Sequence, residues 1–266
     1  MSRDLSRIFL ILTAAIAALA ITASNVRAEI QTKTVEYKDG DTVLEGYVAW
    51  DDTYTDDRPG ILIVHQWMGL TDYEKSRAKQ LADLGYVAFA VDVYGKGVRP
   101  ADPKEAGKQA GIYKGDRDLY RRRLQVGLEE LKKQKGVDAS KIAAIGYCFG
   151  GTGVLELARS GADIAGVVSF HGGLDNPRPK DAANIKAKVL VFHGGKDPYV
   201  PQKDVDAFWK EMNTTNVDWT LTIYSDAVHA FTQKAAGNDP SVGAAYNERA
   251  DRLSWEGMRE FFVRIF

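Results

Sequence analysis

This sequence predicts an α/β fold: a mostly parallel, twisted sheet with helices on both faces and an antiparallel hairpin at its N-terminal end. Three observations carry that expectation. The runs Gly60 to His65, Tyr86 to Val91, Lys141 to Ile145, Ile164 to Phe170 and Ala187 to Phe192 are short and nearly continuously apolar, as strands buried on both faces are. Between them lie stretches with apolar residues three and four apart, the mark of helices that cover such a sheet. Before them, Thr32 to Lys38 and Thr42 to Trp50 alternate polar and apolar residues around an Asp39-Gly40 turn, which is a hairpin signature.

The helical stretches are Asp72 to Leu84, Asp116 to Lys133, Thr152 to Arg159 and Gln202 to Met212. Val217 to Tyr224 reads as a further strand. Gly243 to Phe266 closes the chain as an amphipathic helix, with Leu253, Trp255, Met258, Phe261, Phe262 and Ile265 on one side. Pro100 to Gly115 is the least regular part, because Pro100, Pro103, Gly107 and Gly111 interrupt a helical pattern; it is expected to be an irregular segment, either overlying the site or a plain surface connection. Strand and helix alternate throughout, as a parallel sheet requires.

The 266 residues are 45% hydrophobic and 27% charged, the composition of a globular chain, and no Pro/Gly/Ser-rich linker divides them. Thirty-five Lys and Arg against 36 Asp and Glu leave no field to collect nucleic acid or anionic lipid, so nucleic-acid partners are not expected. Cys148 is the single cysteine, which excludes an internal disulfide and thiol-rich metal sites. At the N-terminus, Arg3 and Arg7 precede an apolar run from Ile8 to Ile21 that is short for a membrane span, and Val26-Arg27-Ala28 fits a small-residue cleavage site. Residues 1–28 are therefore expected to be a signal peptide. Residues 29–266 then form a single domain that is periplasmic or secreted, without stable membrane association after cleavage, and monomeric.

The strand Lys141 to Ile145 runs into Gly146-Tyr147-Cys148-Phe149-Gly150-Gly151 and then a helix. This is the pattern of a nucleophile elbow, with cysteine where serine is commoner. The residues two before and two after such a nucleophile approach too closely for side chains, hence Gly146 and Gly150. The same turn sets the thiol at a helix N-terminus, whose partial positive charge favours thiolate. A buried core cysteine is the competing account, and the strand, elbow and helix together weigh against it.

Folds built around this elbow carry nucleophile, acid and histidine in that chain order. His65 precedes Cys148 and is excluded. His229, in a turn between the strand Val217 to Tyr224 and the last helix, fits the base, and Asp197 in Gly194-Gly195-Lys196-Asp197-Pro198 fits the acid. Asp226 is a rival acid, but its place three residues before His229 reads better as a turn former. His171 and His193 have mainly structural readings. An oxyanion site needs two backbone donors: the N–H of Phe149 after the nucleophile, and one from the loop His65 to Leu70, for which Trp67 is the candidate.

With Cys148 at the elbow, Asp197 in Gly-Gly-Lys-Asp-Pro and His229 in Val-His-Ala-Phe, the chain resembles the dienelactone hydrolase family of α/β-hydrolases, from the strand before His65 to the closing helix. The resemblance implies an α/β-hydrolase fold and a cofactor-free, metal-free hydrolase that opens small esters or lactones through a thioester on Cys148. It also implies that Gln66, Tyr94, Lys96 and Phe231 line the substrate site. Three positions depart from the best-known members: Gln66 stands where they carry Glu, and Lys96 and Gln233 replace arginines that grip a substrate carboxylate. A neutral Gln66 removes a charge that would compete for His229, which favours a resting Cys148 thiolate paired with that histidine.

Two other classes compete with hydrolysis. One is a non-catalytic exported binding protein that kept the pocket; acylation of Cys148 by an activated ester discriminates against it. The other makes Cys148 a redox sensor, which the lack of a resolving cysteine weakens.

Overall fold

The computed structural model describes residues 29–266, and the expected signal segment 1–28 lies outside the described residues. Eight strands form one sheet in the order β1-β2-β4-β3-β5-β6-β7-β8. The hairpin β1 (Ile30–Asp39) and β2 (Thr42–Asp51) is antiparallel, and β2 joins the body of the sheet antiparallel to β4 (Val87–Val91). From there β3 (Arg58–Val64), β5 (Val137–Tyr147), β6 (Gly166–Phe170), β7 (Lys188–Gly194) and β8 (Trp219–Tyr224) are all parallel. The predicted fold class is the one observed.

The continuous apolar runs divide between two cores by the period of two that a pleated strand imposes. Leu62 and Val64 of β3 pack on one face of the sheet, and Ile61 and Ile63 on the other. The first face is covered by α3 (Arg117–Lys132), α4 (Phe149–Arg159) and α5 (Gln202–Asn213), through residues such as Leu124, Leu128, Val154, Leu157 and Phe208. The second is covered by α1 (Asp72–Asp83) and α6 (Glu248–Ile265), through Ala78, Leu81, Met258, Phe261 and Phe262. Fully burying such a side chain stabilises by about 1.5–3 kcal/mol. The elbow helix α4 is further pinned by fully buried Arg159, which pairs with Glu156 of its own helix and Glu211 of α5. Removing one partner from that trio leaves a buried charge, at a cost of about 3–5 kcal/mol.

Two expectations are corrected. The stretch expected to be irregular is a helix, α2 (Pro103–Gly115). Pro103 occupies the first turn, where its missing N–H costs nothing, and the Asp102 side chain caps the helix by accepting from the Glu105 N–H. Ala106, Ala110 and Tyr113 form its buried stripe, so the proline marks a beginning where it was read as a break. The last helix starts at Glu248, not Gly243, because Asn247 caps it by accepting from the Ala250 N–H. The residues just before it instead brace the His229 loop: the His229 N–H donates to the Gly243 carbonyl and the Ala245 N–H to the His229 carbonyl. Among the described residues no helix is long and apolar enough to cross a membrane.

A test of α2 follows from its glycines. A Cβ added at Gly107 meets nothing within 4 Å, so Gly107→Ala should stabilise the protein by about 0.5–1 kcal/mol. The urea midpoint should rise at unchanged slope; a fall in the midpoint would contradict a regular helix there.

Candidate active site

The C-terminal ends of β3, β5, β6, β7 and β8 place His65–Trp67, Cys148, His171, Asp197 and His229 along one edge of the sheet. The elbow is as tight as its glycines imply. A Cβ on Gly146 would lie 2.0 Å from the Gly150 carbonyl oxygen, and one on Gly150 would lie 2.1 Å from the Val64 carbonyl oxygen. Cys148 itself sits at φ 54°, ψ −115°, a backbone conformation that costs a non-glycine residue about 1–3 kcal/mol. α4 begins at the next residue. The strain therefore lifts the thiol off the sheet edge at the positive end of a helix.

The Cys148 Sγ lies 3.0 Å from His229 Nε2, and His229 Nδ1 lies 2.8 Å from Asp197 Oδ2. Asp197 uses its other oxygen to accept from the Tyr199 N–H at 2.9 Å, which fixes the carboxylate plane. The two loops are also tied by backbone, since the Lys196 N–H donates to the Ala227 carbonyl. Asp226, the rival acid, is on the surface, where it pairs with Arg249. The structure brings Cys148, Asp197 and His229 into one hydrogen-bonded line and leaves Asp226 out of it.

The same geometry sets their charge. Burial pushes the Cys148 thiol up, but His229 beside it, with the N–H groups of Phe149 and Trp67 aimed at the sulfur, reverses this and holds it below the ordinary value. Burial pulls His229 down, yet the Cys148 sulfur and the Asp197 carboxylate together raise it to about 10. Each group thus moves the other in the direction that favours a thiolate beside an imidazolium. Trp67 and Phe149, expected as oxyanion donors, thus both have backbone N–H groups near the Cys148 sulfur.

The Trp67 loop is held by residues outside the site expected from the sequence. Fully buried Glu74 accepts from the Gln66 N–H at 3.2 Å and from the Thr71 N–H at 2.8 Å, closing a capping box with Thr71 at the start of α1. The Thr-x-x-Glu spacing of Thr71 and Glu74 was the available signal. Tyr94 donates from its hydroxyl to the Trp67 carbonyl at 3.0 Å. Tyr199, also unremarked, stands edge-on to the His229 ring at 5.3 Å and is 62% exposed, at the mouth of the site.

The expected substrate-lining residues need correction. Tyr94 is 4% exposed and spends its hydroxyl on the loop. Phe231 is fully buried against His171 and Tyr224, so it supports the site from below. Lys96 is turned outward by the Gly95-Lys96-Gly97 bend, whose N–H at Lys96 donates to Val43, and its ammonium pairs with Glu36 of β1. Gln66 is buried, and its side-chain nitrogen meets no partner among the described residues.

Comparison with known proteins gives the family. The model of the dienelactone hydrolase family matches residues 44–266. The chain belongs to that family. It is a carboxylic ester hydrolase, of the class that cleaves lactones and esters. Among similar structures, a dienelactone hydrolase-like promiscuous phosphotriesterase from metagenomic libraries is 39% identical, with a TM-score of 0.85 over 90% of this chain and 100% of that one. A protein of Aquifex aeolicus whose assigned name is carboxymethylenebutenolidase is 27% identical over 232 residues, 86% of this chain and 96% of its own. A Bradyrhizobium protein named for a 2-oxo-3-(5-oxofuran-2-ylidene)propanoate lactonase is 27% identical over 208 residues, 74% of this chain and 84% of its own.

The charge state of the pair is measurable in this family member. Iodoacetamide alkylation of Cys148 should keep a reactive plateau well below the free-thiol pKa of about 8.5, since the thiolate survives acidification until the imidazolium pair itself takes up a proton. A single titration near 8.5 would contradict the pair.

Proposed function

We propose that this hydrolase cleaves small esters or lactones by nucleophilic catalysis at Cys148. The carrying observation is the line Cys148 Sγ, His229 Nε2, His229 Nδ1, Asp197 Oδ2, at 3.0 and 2.8 Å. In this reading the sulfur attacks the carbonyl carbon, and the carbonyl π electrons move onto oxygen, where the Phe149 and Trp67 amides receive the charge. The tetrahedral intermediate collapses, the C–O bond to the leaving group breaks, and the imidazolium of His229 donates its proton to that oxygen. A thioester on Cys148 remains. His229, now neutral, takes a proton from water, and the hydroxide attacks the thioester and releases the acid. Asp197 holds the imidazole in the tautomer and orientation that both halves need.

The substrate side of the proposal is a neutral or weakly anionic small ester or lactone. Planar, two-pronged recognition of a carboxylate is arginine chemistry, and Lys96 is engaged by Glu36. Trp67, 38% exposed, and Tyr199, edge-on to the His229 ring, offer exposed aromatic surface instead. We also propose export, on the strength of the arginine-flanked apolar run and the Val26-Arg27-Ala28 site.

Cys148→Ala should lower kcat/KM on a reactive ester by about 10⁴-fold or more while circular dichroism and the melting temperature stay close to wild type. Retained hydrolysis in the folded variant would overturn the mechanism. In side-by-side kinetics a neutral lactone should exceed dienelactone in kcat/KM by about tenfold or more, one lost charge-assisted hydrogen bond being worth about 1.5–3 kcal/mol. A preference for dienelactone would refute that substrate assignment.

A further inference from the structure

His171 lies behind the elbow and has no part in the chemistry just described. Its backbone is held at φ 42°, an uncommon conformation for a side chain of this size, with its N–H donating to the Phe192 carbonyl. The ring is fully buried. Its Nδ1 lies 3.2 Å from the Cys148 backbone nitrogen, and its Nε2 lies 2.8 Å from Thr232 Oγ1. Cys148 is the thiol-bearing residue, and Thr232 sits on the loop of His229, three positions after it.

The donors decide the tautomer. The Cys148 N–H, which also donates to the Phe170 carbonyl, can use Nδ1 only if that nitrogen carries no proton. Nε2 then bears the hydrogen and gives it to Thr232 Oγ1. The threonine hydroxyl proton is left for the Tyr73 oxygen at 2.7 Å, which also accepts from Arg77 Nε. The charged and titratable groups that face the ring are His229, whose ring centre is 5.2 Å away, Arg77 of α1 and His193 of β7, with Tyr147 and Tyr73 nearby. Burial, with the His229 charge added, keeps His171 neutral.

We propose that His171 and Thr232 form a positioning strap that sets the distance between the Cys148 thiol and the His229 imidazole. One rigid, neutral ring joins the backbone of the elbow to the loop that carries the base. The two halves of the thiolate–imidazolium pair arrive on different strands, β5 and β8, which are not neighbours in the sheet. The strap crosses that gap below the reacting atoms. Its neutrality matters, because a second imidazolium 5.2 Å from His229 would repel the charge that stabilises the thiolate. The proposal rests on Cys148 and His229 acting as the reactive pair.

The test uses the full chain with Thr232→Val, which keeps the shape and removes the hydroxyl, beside Thr232→Ser, which keeps the hydroxyl. Tyr73→Phe serves as a control, since it removes a buried hydrogen bond to Thr232 without touching His171. Thr232→Val should lower kcat about tenfold with KM within twofold, and should move the Cys148 alkylation profile to higher pH. Thr232→Ser should restore both, and Tyr73→Phe should leave the alkylation profile in place even where it lowers the melting temperature. An unchanged profile and kcat in Thr232→Val would overturn the strap, and so would equal impairment in Thr232→Val and Thr232→Ser. If Thr232→Val proves unstable, Thr232→Ser with a wild-type profile set against Thr232→Ala with a displaced one carries the same decision. The reading of Cys148 as nucleophile fails separately, through activity retained in Cys148→Ala.

Discussion

The approach of Gly146 to Gly150 is the constraint on which the rest of this structure depends. A methyl group at either position would stand 2.0–2.1 Å from a carbonyl oxygen, so the strand-to-helix turn closes only with glycine there. Closing it forces Cys148 to positive φ, and that in turn sets the thiol at the N-terminus of α4 with the Phe149 amide beside it. The cost of the strained residue is small against the two cores that hold β5 and α4. Val154, Leu155 and Leu157 of the helix are buried, as are Ile142, Ala144 and Ile145 of the strand. A rigid scaffold thus over-determines one unfavourable backbone conformation, that of Cys148.

Around that thiol, three of the four histidines at this sheet edge, His229, His171 and His65, are shifted to opposite sides of the ordinary imidazole value by their surroundings. His229 faces a carboxylate on one side and the sulfur on the other, and is raised to about 10. His171 is lowered by burial first and then by the repulsion of His229 and Arg77, and its hydrogen-bond partners, the Cys148 N–H and the Thr232 hydroxyl, are neutral. His65 is lowered by burial, with Nδ1 against the Gln66 carbonyl and Nε2 accepting from the Val93 N–H, so it ties the His65–Trp67 loop to the end of β4. Position along the sheet edge is common to all three. Only the partner of each ring nitrogen separates a base from a brace.

The elbow, the Asp197 turn and the His229 turn were legible in the sequence because each is a local pattern: glycines at fixed offsets, and a carboxylate and an imidazole at strand ends. The hairpin and the parallel core were legible through periodicity. What was hidden depends on contacts between distant segments. Nothing near Lys96 in the sequence announces that Glu36, sixty residues earlier, will take its charge. Tyr94 and Phe231 have the composition of a pocket wall, but the packing of His65, Phe149 and His171 against them turns both inward. The helix at Pro103 is hidden for a different reason, since a proline in the first turn starts a helix and Gly107 and Gly111 within it are tolerated on the strength of its buried stripe. Thr71 and Glu74 carry the spacing of a capping box, a local signal that does not by itself reveal the second bond from Glu74 to the Gln66 N–H.

The central claim is that a covalent thioester forms on Cys148, and a quenched-turnover mass measurement addresses it most directly. The protein would be mixed with an excess of a slowly deacylated activated ester, quenched in acid within the first turnover, and digested for peptide mapping. The account predicts one acyl group added to the peptide that contains Cys148, lost on treatment with hydroxylamine and absent from Cys148→Ala. Turnover with no adduct at Cys148, or an adduct carried by another residue at the same rate in wild type and Cys148→Ala, would contradict it.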